Sequence, residues 1–517
     1  MIGDLKSDLN LFRALLGHSR DAAFREIRLG SKGQLPAALV YLEDMASKPV
    51  QIQTILRPLL LESRMIPLGN EIAGKDAVDV IQDAILPAGD VKRMDDVNLI
   101  VLSVLAGDTA LLIHGSAQAL VVNTRGWNMR QVSEPDNELV IRGPREGFTE
   151  NLRNNVALIR SRLKSPDLEV RYRRLGFITH TDVAVVFING IADPEIVDEV
   201  MNRIDVIQID GVLEGSYLEE FIEDNPYSPF PQIEHTERPD KVVASLLEGR
   251  IAIMTDGTPF AMVVPTVFGQ YLQSGDDYYQ RYHVATFIRL LRLLSMFVSL
   301  ILPGAYLAIV TTHPEMVPTT LLVSIAAQRE GVPFPAIIEA LLMEGTIEIL
   351  RESGLRMPGR IGQAISVVGA IVLGQAAVSA GLVSPAMVMI VSLTGLASFA
   401  IPSFAIAIPL RLLRFGLMVV GSIFGIFGIM AIFMVVVAHL ASLRSFGVPY
   451  MEPIFPFRAA DLKDFILRAP WWAMTERPRS THPIKLTRRT EEVRKVPSGN
   501  QQRRTTATSG KRGATKQ

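Results

Sequence analysis

Fifty consecutive residues, Ile361 to Leu410, contain no Asp, Glu, Lys, Arg or His. As a helix with a rise of about 1.5 Å per residue, this run would be roughly 75 Å long, whereas the apolar core of a bilayer is about 30 Å thick. The run is therefore long enough to cross a membrane twice. The alternative is a buried bundle in a large soluble protein, but soluble core helices seldom stay apolar for so long. The sequence therefore predicts a membrane protein.

Two further uncharged runs support this prediction. Leu293 to Val310 follows Arg289 and Arg292, and Phe415 to Ala438 is long enough to span with some tilt. Together with the central run they predict about four crossings. We place these spans at residues 288–310, 361–380, 385–410 and 415–441.

Composition excludes several classes of function. The 517-residue chain has a formal net charge of -1 and no cysteine, which rules out disulfides, thiolate metal sites and cysteine nucleophiles. It also has no Walker A loop, no nucleophile elbow, no dinucleotide fingerprint and no His-Glu-x-x-His motif. We therefore expect no enzyme activity, no cofactor and no metal site.

The region before the first span has the pattern of a soluble α/β fold. Two segments, 109–122 and 250–264, both look like hairpins in which a His-Gly or Asp-Gly pair supplies the positive φ of a tight turn. Amphipathic stretches at Leu35–Met45 and Ile196–Ile204 predict helices between the strands. The predicted fold class is an α/β cytoplasmic region of two related α/β subdomains, followed by an all-α polytopic membrane domain.

The same patterns give the domain boundaries. We expect an N-terminal arm, two α/β subdomains, a transmembrane domain that includes an amphipathic segment at 335–353, and a basic disordered tail. The corresponding ranges are 1–35, 36–142, 143–280, 281–470 and 471–517.

The C-terminal tail indicates the topology. From Arg477 to Gln517, twelve Lys or Arg residues stand against two Glu, a net charge of +10, in a stretch rich in polar and small residues. The positive-inside rule places this tail in the cytoplasm, where it can also contact anionic membrane lipids; nothing indicates a nucleic-acid partner. Four crossings then put the soluble region in the cytoplasm too. One observation disagrees, because Arg411 and Arg414 would lie at the outer surface.

The second span carries a stripe of small and polar residues. Gln363, Ser366, Ala370, Gly374 and Ala377 recur at spacings of 3, 4, 4 and 3, which places them on one helical face. Such a face serves either close helix packing or the lining of a pore. In the second case their neighbours Val367 and Leu373 would close the pore by dewetting.

The amphipathic segment carries three glutamates on one face. Glu344, Glu348 and Glu352 follow the spacing i, i+4, i+8. In a ring of subunits this face would concentrate cations at a pore entrance. The alternative is a solvated face of an interfacial helix.

The order of these segments resembles the A subunits of GerA-type spore germination receptors. The resemblance runs from about residue 30 to 470, and the basic tail matches no motif of that family. It is carried by the segments Pro144–Glu150, Ser165–Leu168, Thr236–Asp240, Asp256–Phe260, Tyr278–Tyr279, Leu302–Gly304, Glu330–Pro335, Ile361–Ala364 and Gly374–Val378.

The resemblance implies a function in germination. Such A subunits join a transporter-like B subunit and a lipoprotein C subunit in the inner membrane of the endospore. Nutrients such as amino acids or sugars bind the B subunit, and the A subunits assemble into a ring that opens to monovalent cations. On this basis the stripe in the second span is favoured as pore lining.

Other functions stay open at this point. The chain could be a signalling scaffold whose membrane part only anchors it, or the family member that acts later in germination with a different membrane partner. A secondary transporter is disfavoured, because the fifty-residue run has no internal charge.

Overall fold

The computed structural model describes most of the chain. The described residues are 1–30, 33, 35–61, 75–82, 91–126, 134–135, 138, 140–356, 369 and 372–488.

The first α/β subdomain is built on an antiparallel sheet with strand order β1-β2-β4-β5-β3. The central strands are buried on both faces, because helices cover them on either side. The strands described here are β1 (Ala22–Leu29), β2 (Leu35–Leu42), β3 (Val91–Met94), β4 (Thr109–Ile113) and β5 (Ala119–Val122). The helices are α1 (Leu5–Leu16), α2 (Lys48–Val50), α3 (Arg57–Leu61), α4 (Lys75–Val80) and α5 (Val97–Leu105), with a π-helical turn at Gln51–Leu56.

The second subdomain repeats this design. Its sheet has the order β6-β7-β9-β10-β8, which matches the first sheet strand for strand. The prediction of two related α/β subdomains is therefore confirmed. The strands are β6 (Leu168–Leu175), β7 (Thr181–Ile188), β8 (Glu234–Thr236), β9 (Ile251–Thr255) and β10 (Ala261–Val264); the helices are α6 (Leu152–Arg162), α7 (Pro194–Val206), α8 (Gly215–Ile222) and α9 (Pro239–Leu247).

Both predicted hairpins are present. Strand β4 pairs with β5 and β9 pairs with β10 at equivalent places in the two sheets. Gly115 and Gly257 follow β4 and β9 with φ of 85° and 92°, a region that favours glycine.

Two expectations for the N-terminal part differ from the structure. Leu35–Met45 was expected to be a helix, but the structure has strand β2 at Leu35–Leu42. This strand is buried on both faces, so its residues form a nearly continuous apolar run, as is typical of a central strand. The arm predicted for residues 1–35 is folded: α1 and β1 belong to the first subdomain, and Phe12 on α1 is fully buried in its core.

A helical region follows the second sheet. A 3₁₀ turn at Phe268–Leu272 and the short helix α10 (Asp276–Tyr279) lead into it. Its helices are α11 (Tyr282–Thr311), α12 (Thr319–Arg329), α13 (Ala336–Arg356), α14 (described for residues 372–379), α15 (Pro385–Phe399) and α16 (Phe404–Ser442), with a 3₁₀ turn at Pro314–Met316. Among the described residues, α11 and α16 are long and apolar enough to cross a membrane.

The helix bounds refine the predicted spans. Spans 288–310 and 415–441 fall within α11 and α16, and segment 335–353 falls within α13 except for Pro335, which precedes that helix. Span 385–410 is divided, because α15 ends at Phe399 and α16 begins at Phe404. Pro402 lies in this break, and the residue before a proline disfavours helical geometry. Of span 361–380, the structure describes residue 369 and residues 372–380.

Close glycine contacts hold α11 against α16. A Cβ atom added at Gly421 would lie 2.7 Å from the carbonyl oxygen of Gly304, so neither helix could approach this closely with larger residues. Within the Gly421-x-x-x-Gly425 pair, Gly425 interrupts the helix with φ 61° and ψ −150°. The close helix packing that a Gly-x-x-x-Gly pair permits is present at Gly421.

After α16 the chain returns to the second subdomain. The two-stranded ribbon of β11 (Arg444–Ser445) and β12 (Val448–Pro449) places Phe446 and Val448 in the core of that subdomain. The short helix α17 (Leu462–Phe465) and two 3₁₀ turns, Trp471–Ala473 and Arg479–Thr481, complete the described chain.

Part of the predicted disordered tail is also folded. The Arg477 guanidinium donates hydrogen bonds to the backbone oxygens of Leu247, Lys485 and Thr487 at 2.6, 2.9 and 2.7 Å. These bonds tie residues 471–488 to the second subdomain. The rest of the tail lies outside the described residues.

Candidate functional site

Two of the three predicted glutamates lie inside the helical region, where arginines of α16 meet them. Glu344 Oε2 accepts a hydrogen bond from Arg414 Nη1 at 2.7 Å, and Glu348 Oε2 accepts one from Arg411 Nη1 at 2.8 Å. The glutamate number rises as the arginine number falls, so α13 and α16 run antiparallel here. The first pair is enclosed, with both side chains 1% exposed, and the second is 26% and 14% exposed.

Arg351 extends this cluster to a third helix. Its Nη2 donates to Ser398 Oγ on α15 at 2.8 Å, and its Nη1 lies 3.5 Å from Glu348 Oε1. The guanidinium also lies 4.9 Å from the centroid of the Phe399 ring. We call Glu344, Glu348, Arg351, Arg411 and Arg414 the charged cluster. Its three arginines and two glutamates leave a surplus of one positive charge.

A further glutamate of α13 holds the start of α15. Glu339 is fully buried and accepts hydrogen bonds from the backbone nitrogen of Ser384, at 2.9 Å, and from the Ser384 hydroxyl. A carboxylate at a helix N-terminus is favourable, because the first backbone N–H groups have no partner within the helix. Glu339 therefore fixes where α15 begins relative to α13.

The third predicted glutamate differs from the other two in its burial. Glu352 is exposed, whereas Glu344 is buried and Glu348 is half-buried. In a helix of 3.6 residues per turn each four-residue step turns about 40° past a full turn, so residues i and i+8 lie about 80° apart and need not meet one partner helix.

The predicted stripe is described only at its C-terminal end. Gln363, Ser366, Val367 and Ala370 lie outside the described residues. Gly374 on α14 is buried, and a Cβ atom added there would lie 3.3 Å from Val388 Cγ1 on α15. Leu373 is 46% exposed and Ala377 is half-buried. At Gly374 the contact is of the kind that the packing alternative predicts.

Sequence reasoning missed the arginine partners. It placed Arg411 and Arg414 at an outer surface, whereas both point at α13. The signal was available, since two arginines three residues apart border a long apolar run and charged groups in such helices pair with one another. The sequence did not show which helix carries the glutamates that pair with these arginines.

Ion pairs also hold the start of α11 against the segments next to it. Arg289 near the start of α11 is buried and lies 2.9 Å from Asp277 Oδ2 and 3.0 Å from Asp464 Oδ1. Tyr278 donates its hydroxyl to Asp464 Oδ2 at 2.9 Å, and burial raises the pKa of the Asp464 carboxyl to about 6. This junction connects α11, α10 and the C-terminal segment.

The sequence was compared with protein families and with known proteins, and the matches cover most of the chain. A family model described as Bacillus/Clostridium GerA spore germination protein matches residues 10–480. Spore germination protein KA of Bacillus subtilis (strain 168) is 43% identical over 94% of this chain and 88% of that protein. The uncharacterized membrane protein YfkQ of the same organism is 45% identical over 92% of this chain and 91% of that protein.

One solved structure is also similar to this chain. It is the crystal structure of the N-terminal domain of the A subunit of the Bacillus megaterium spore germinant receptor GerK3. The identity is 33%, with a TM-score of 0.40, over 52% of this chain and 96% of that one.

Proposed function

The chain belongs to the GerA spore germination protein family, and we propose from this membership that it is the A subunit of a nutrient-responsive germination receptor. In this proposal several copies form an oligomeric gated channel for monovalent cations in the inner membrane of the spore. The partners are a transporter-like B subunit and a lipoprotein C subunit.

The observation that carries the channel proposal is the charged cluster. Ionisable groups inside apolar helices are costly and usually mark a pathway for ions or water. Here they lie between α13, α15 and α16, and both glutamates are neutralised by arginines. The surplus positive charge opposes cation entry, so we assign this conformation to the closed state. Opening then requires the arginines of α16 to move away from α13.

The topology of the proposal rests on contacts at one end of the bundle. His439 Nε2, near the end of α16, lies 2.9 Å from Ser228 Oγ of the second subdomain. Arg289, near the start of α11, reaches Asp464 beside the same subdomain. The first and last apolar helices therefore have their soluble ends together, which supports an even number of crossings. With the basic tail inside, the soluble region is cytoplasmic.

The residues proposed to act in conduction follow from the sequence pattern. Glu344, Glu348 and Glu352 are the cation-selectivity candidates once the pairs with arginine open. The pore-lining candidates are Gln363, Ser366, Val367, Ala370, Leu373, Gly374 and Ala377.

Cation flux from liposomes that contain the purified chain tests the channel proposal. Arg411→Gln removes the surplus positive charge while the enclosed Glu344–Arg414 pair stays, so K⁺ efflux should rise. The double variant Glu348→Gln with Arg411→Gln is the matched control and should lose that gain. Liposomes in which no variant passes K⁺, or in which Cl⁻ carries the current, contradict the proposal.

A membrane-anchored scaffold is the second candidate. Phe177 and Ile178, on the turn between β6 and β7, are 67% and 71% exposed, as expected for a surface that docks another protein. Replacing both by Ser should then abolish germination while leaving flux unchanged.

The later-acting member of the family is a third candidate. A spore that lacks this chain should fail to respond to nutrients if it is the receptor subunit. It should respond, but release ions slowly, if it acts later.

A further inference from the structure

A cavity lies at the junction between the second subdomain and the segments that enter and leave the helical region. Its volume is about 150 Å³. Helix α9 contributes Lys241 and Ala244, the segment before α11 contributes Tyr278, and the C-terminal segment contributes Trp471 and Arg488. Three separate parts of the chain thus meet around it, and Ala244 is exposed at its edge.

A buried arginine in the lining of this cavity has one N–H group without an acceptor. Arg250 is 4% exposed, and its Nε finds no acceptor among the residues that the structure describes. The other two nitrogens face carboxylates at longer range: Nη2 lies 3.5 Å from Glu248 Oε2, and Nη1 lies 3.7 Å from Glu234 Oε2. Both distances exceed the roughly 2.7–3.2 Å of an N–H···O hydrogen bond. A buried N–H group normally has an acceptor, so one acceptor for Arg250 Nε is missing here.

The acidic groups that line the cavity are bound to other cations. Glu234 lies 2.8 Å from Lys241 Nζ, and Glu248 lies 3.0 Å from Arg488 Nη2. Among the described residues that line the cavity, the buried side-chain atom without a partner is Arg250 Nε, which is a donor. A ligand at this position would therefore supply an acceptor.

One wall of the cavity is aromatic. The rings of Tyr278 and Trp471 are 5.9 Å apart, and the Arg488 guanidinium lies 5.7 Å from the Trp471 centroid. A void of about 150 Å³ is the size that accepts a benzene molecule. The lining has equal numbers of acidic and basic side chains, so it tolerates one negative charge better than two. These residues are Glu234, Asp240, Lys241, Glu248, Arg250 and Arg488.

We propose that this cavity binds a small organic monocarboxylate. The carboxylate oxygens accept hydrogen bonds from Arg250, which presents a planar fork that matches them, and the apolar body lies against Tyr278 and Trp471. The site is separate from the charged cluster and does not depend on channel activity.

Binding of 3-fluorobenzoate to the full-length protein in detergent, followed by ¹⁹F NMR, tests the proposal. Saturable binding with a dissociation constant below about 10 mM is expected, and 3-fluorobenzyl alcohol should bind at least about tenfold more weakly. Arg250→Gln should weaken benzoate binding by about tenfold or more.

A second variant separates loss of the site from loss of the fold. Ala244→Leu leaves every charged group in place, fills the mouth of the cavity and should block binding. Ala459→Leu, at an exposed position outside the lining, is the matched control and should bind as the wild type does. The absence of saturable binding, which would mean that water alone satisfies Arg250, or equal binding by wild type, Arg250→Gln and Ala244→Leu, overturns the proposal.

Discussion

Arg414 and Glu344 form an ion pair that solvent does not reach, with 2.7 Å between Nη1 and Oε2 and 1% exposure of each side chain. The pair connects α16, which begins inside the long apolar run, to α13, which precedes that run. Removing one partner of such a pair leaves an uncompensated buried charge, whereas removing both does not.

Single and double variants of the pair should therefore differ in stability. Arg414→Met should lower the free energy of unfolding by about 3–5 kcal/mol, and the double change Glu344→Met with Arg414→Met should recover most of the loss. Thermal unfolding of the purified protein in detergent measures both. Ile349→Met, at an exposed position on the same helix as Glu344, is the control and should change stability by less than about 0.5 kcal/mol. A double variant as unstable as Arg414→Met would contradict this account of the pair.

The glycine contact between α11 and α16 predicts a second pair of variants. Gly421→Ala places a methyl group 2.7 Å from the Gly304 carbonyl oxygen, so it should destabilise the protein by about 1–3 kcal/mol. Gly416→Ala on the same helix meets no atom within 4 Å and should be neutral or stabilising by up to about 1 kcal/mol. If the two variants unfold at the same temperature, α11 and α16 do not approach each other closely at Gly304 and Gly421.

Cysteine labelling tests the predicted pore stripe. The chain has no native cysteine, so single cysteines from Gln363 to Ala377 can be labelled without background. Hydrophilic thiol reagents should modify positions 366 and 370 in a helical period, more strongly after the nutrient signal. Gly374→Cys should stay protected in the closed state, because that position packs against Val388. Labelling of the opposite face would identify the stripe as a packing surface.

A partly buried carboxyl group predicts a pH dependence of stability. Burial raises the pKa of Glu223, after α8, to about 7 from 4.5. The folded state then holds the proton at pH values where the unfolded state has lost it, so this contribution to stability falls as pH rises from about 4.5 to 7. Glu223→Gln should be more stable than the wild type at pH 8, by about 1 kcal/mol after allowance for solvent screening, and equal to it at pH 4. Parallel melting curves at both pH values would show that Glu223 is not perturbed.

Topology reporters test the number of crossings. Fusions at residues 150 and 500 should report the same side of the membrane, because the soluble ends of α11 and α16 meet at the second subdomain. Opposite sides would exclude an even number of crossings.

Local patterns predicted much of the soluble fold. The His114-Gly115 and Asp256-Gly257 turns were identified because the positive φ of a tight hairpin depends on a few adjacent residues. Leu35–Leu42 was misassigned, because a strand covered on both faces loses the alternation that distinguishes it from a helix.

The charged cluster shows why the site was only half predictable. The spacing of Glu344 and Glu348 was visible, since it lies within one helix. Their partners Arg411 and Arg414 are more than sixty residues away, and only the antiparallel packing of α13 on α16 brings them together. Residue spacing does not carry that information.

Because the ribbon after α16 packs into the second subdomain, that subdomain cannot be completed until the end of α16 has been synthesised. Ser445 Oγ donates to the Gln232 oxygen at 2.8 Å and accepts from the Thr266 nitrogen at 3.0 Å, while Phe446 fills the core of the second subdomain. A chain is made from its N-terminus, so this subdomain leaves the ribosome with one side of its core uncovered. That side closes only when the last apolar helix has been made and has brought its end back. The core of the second subdomain is therefore completed only after all of the described apolar helices have been made.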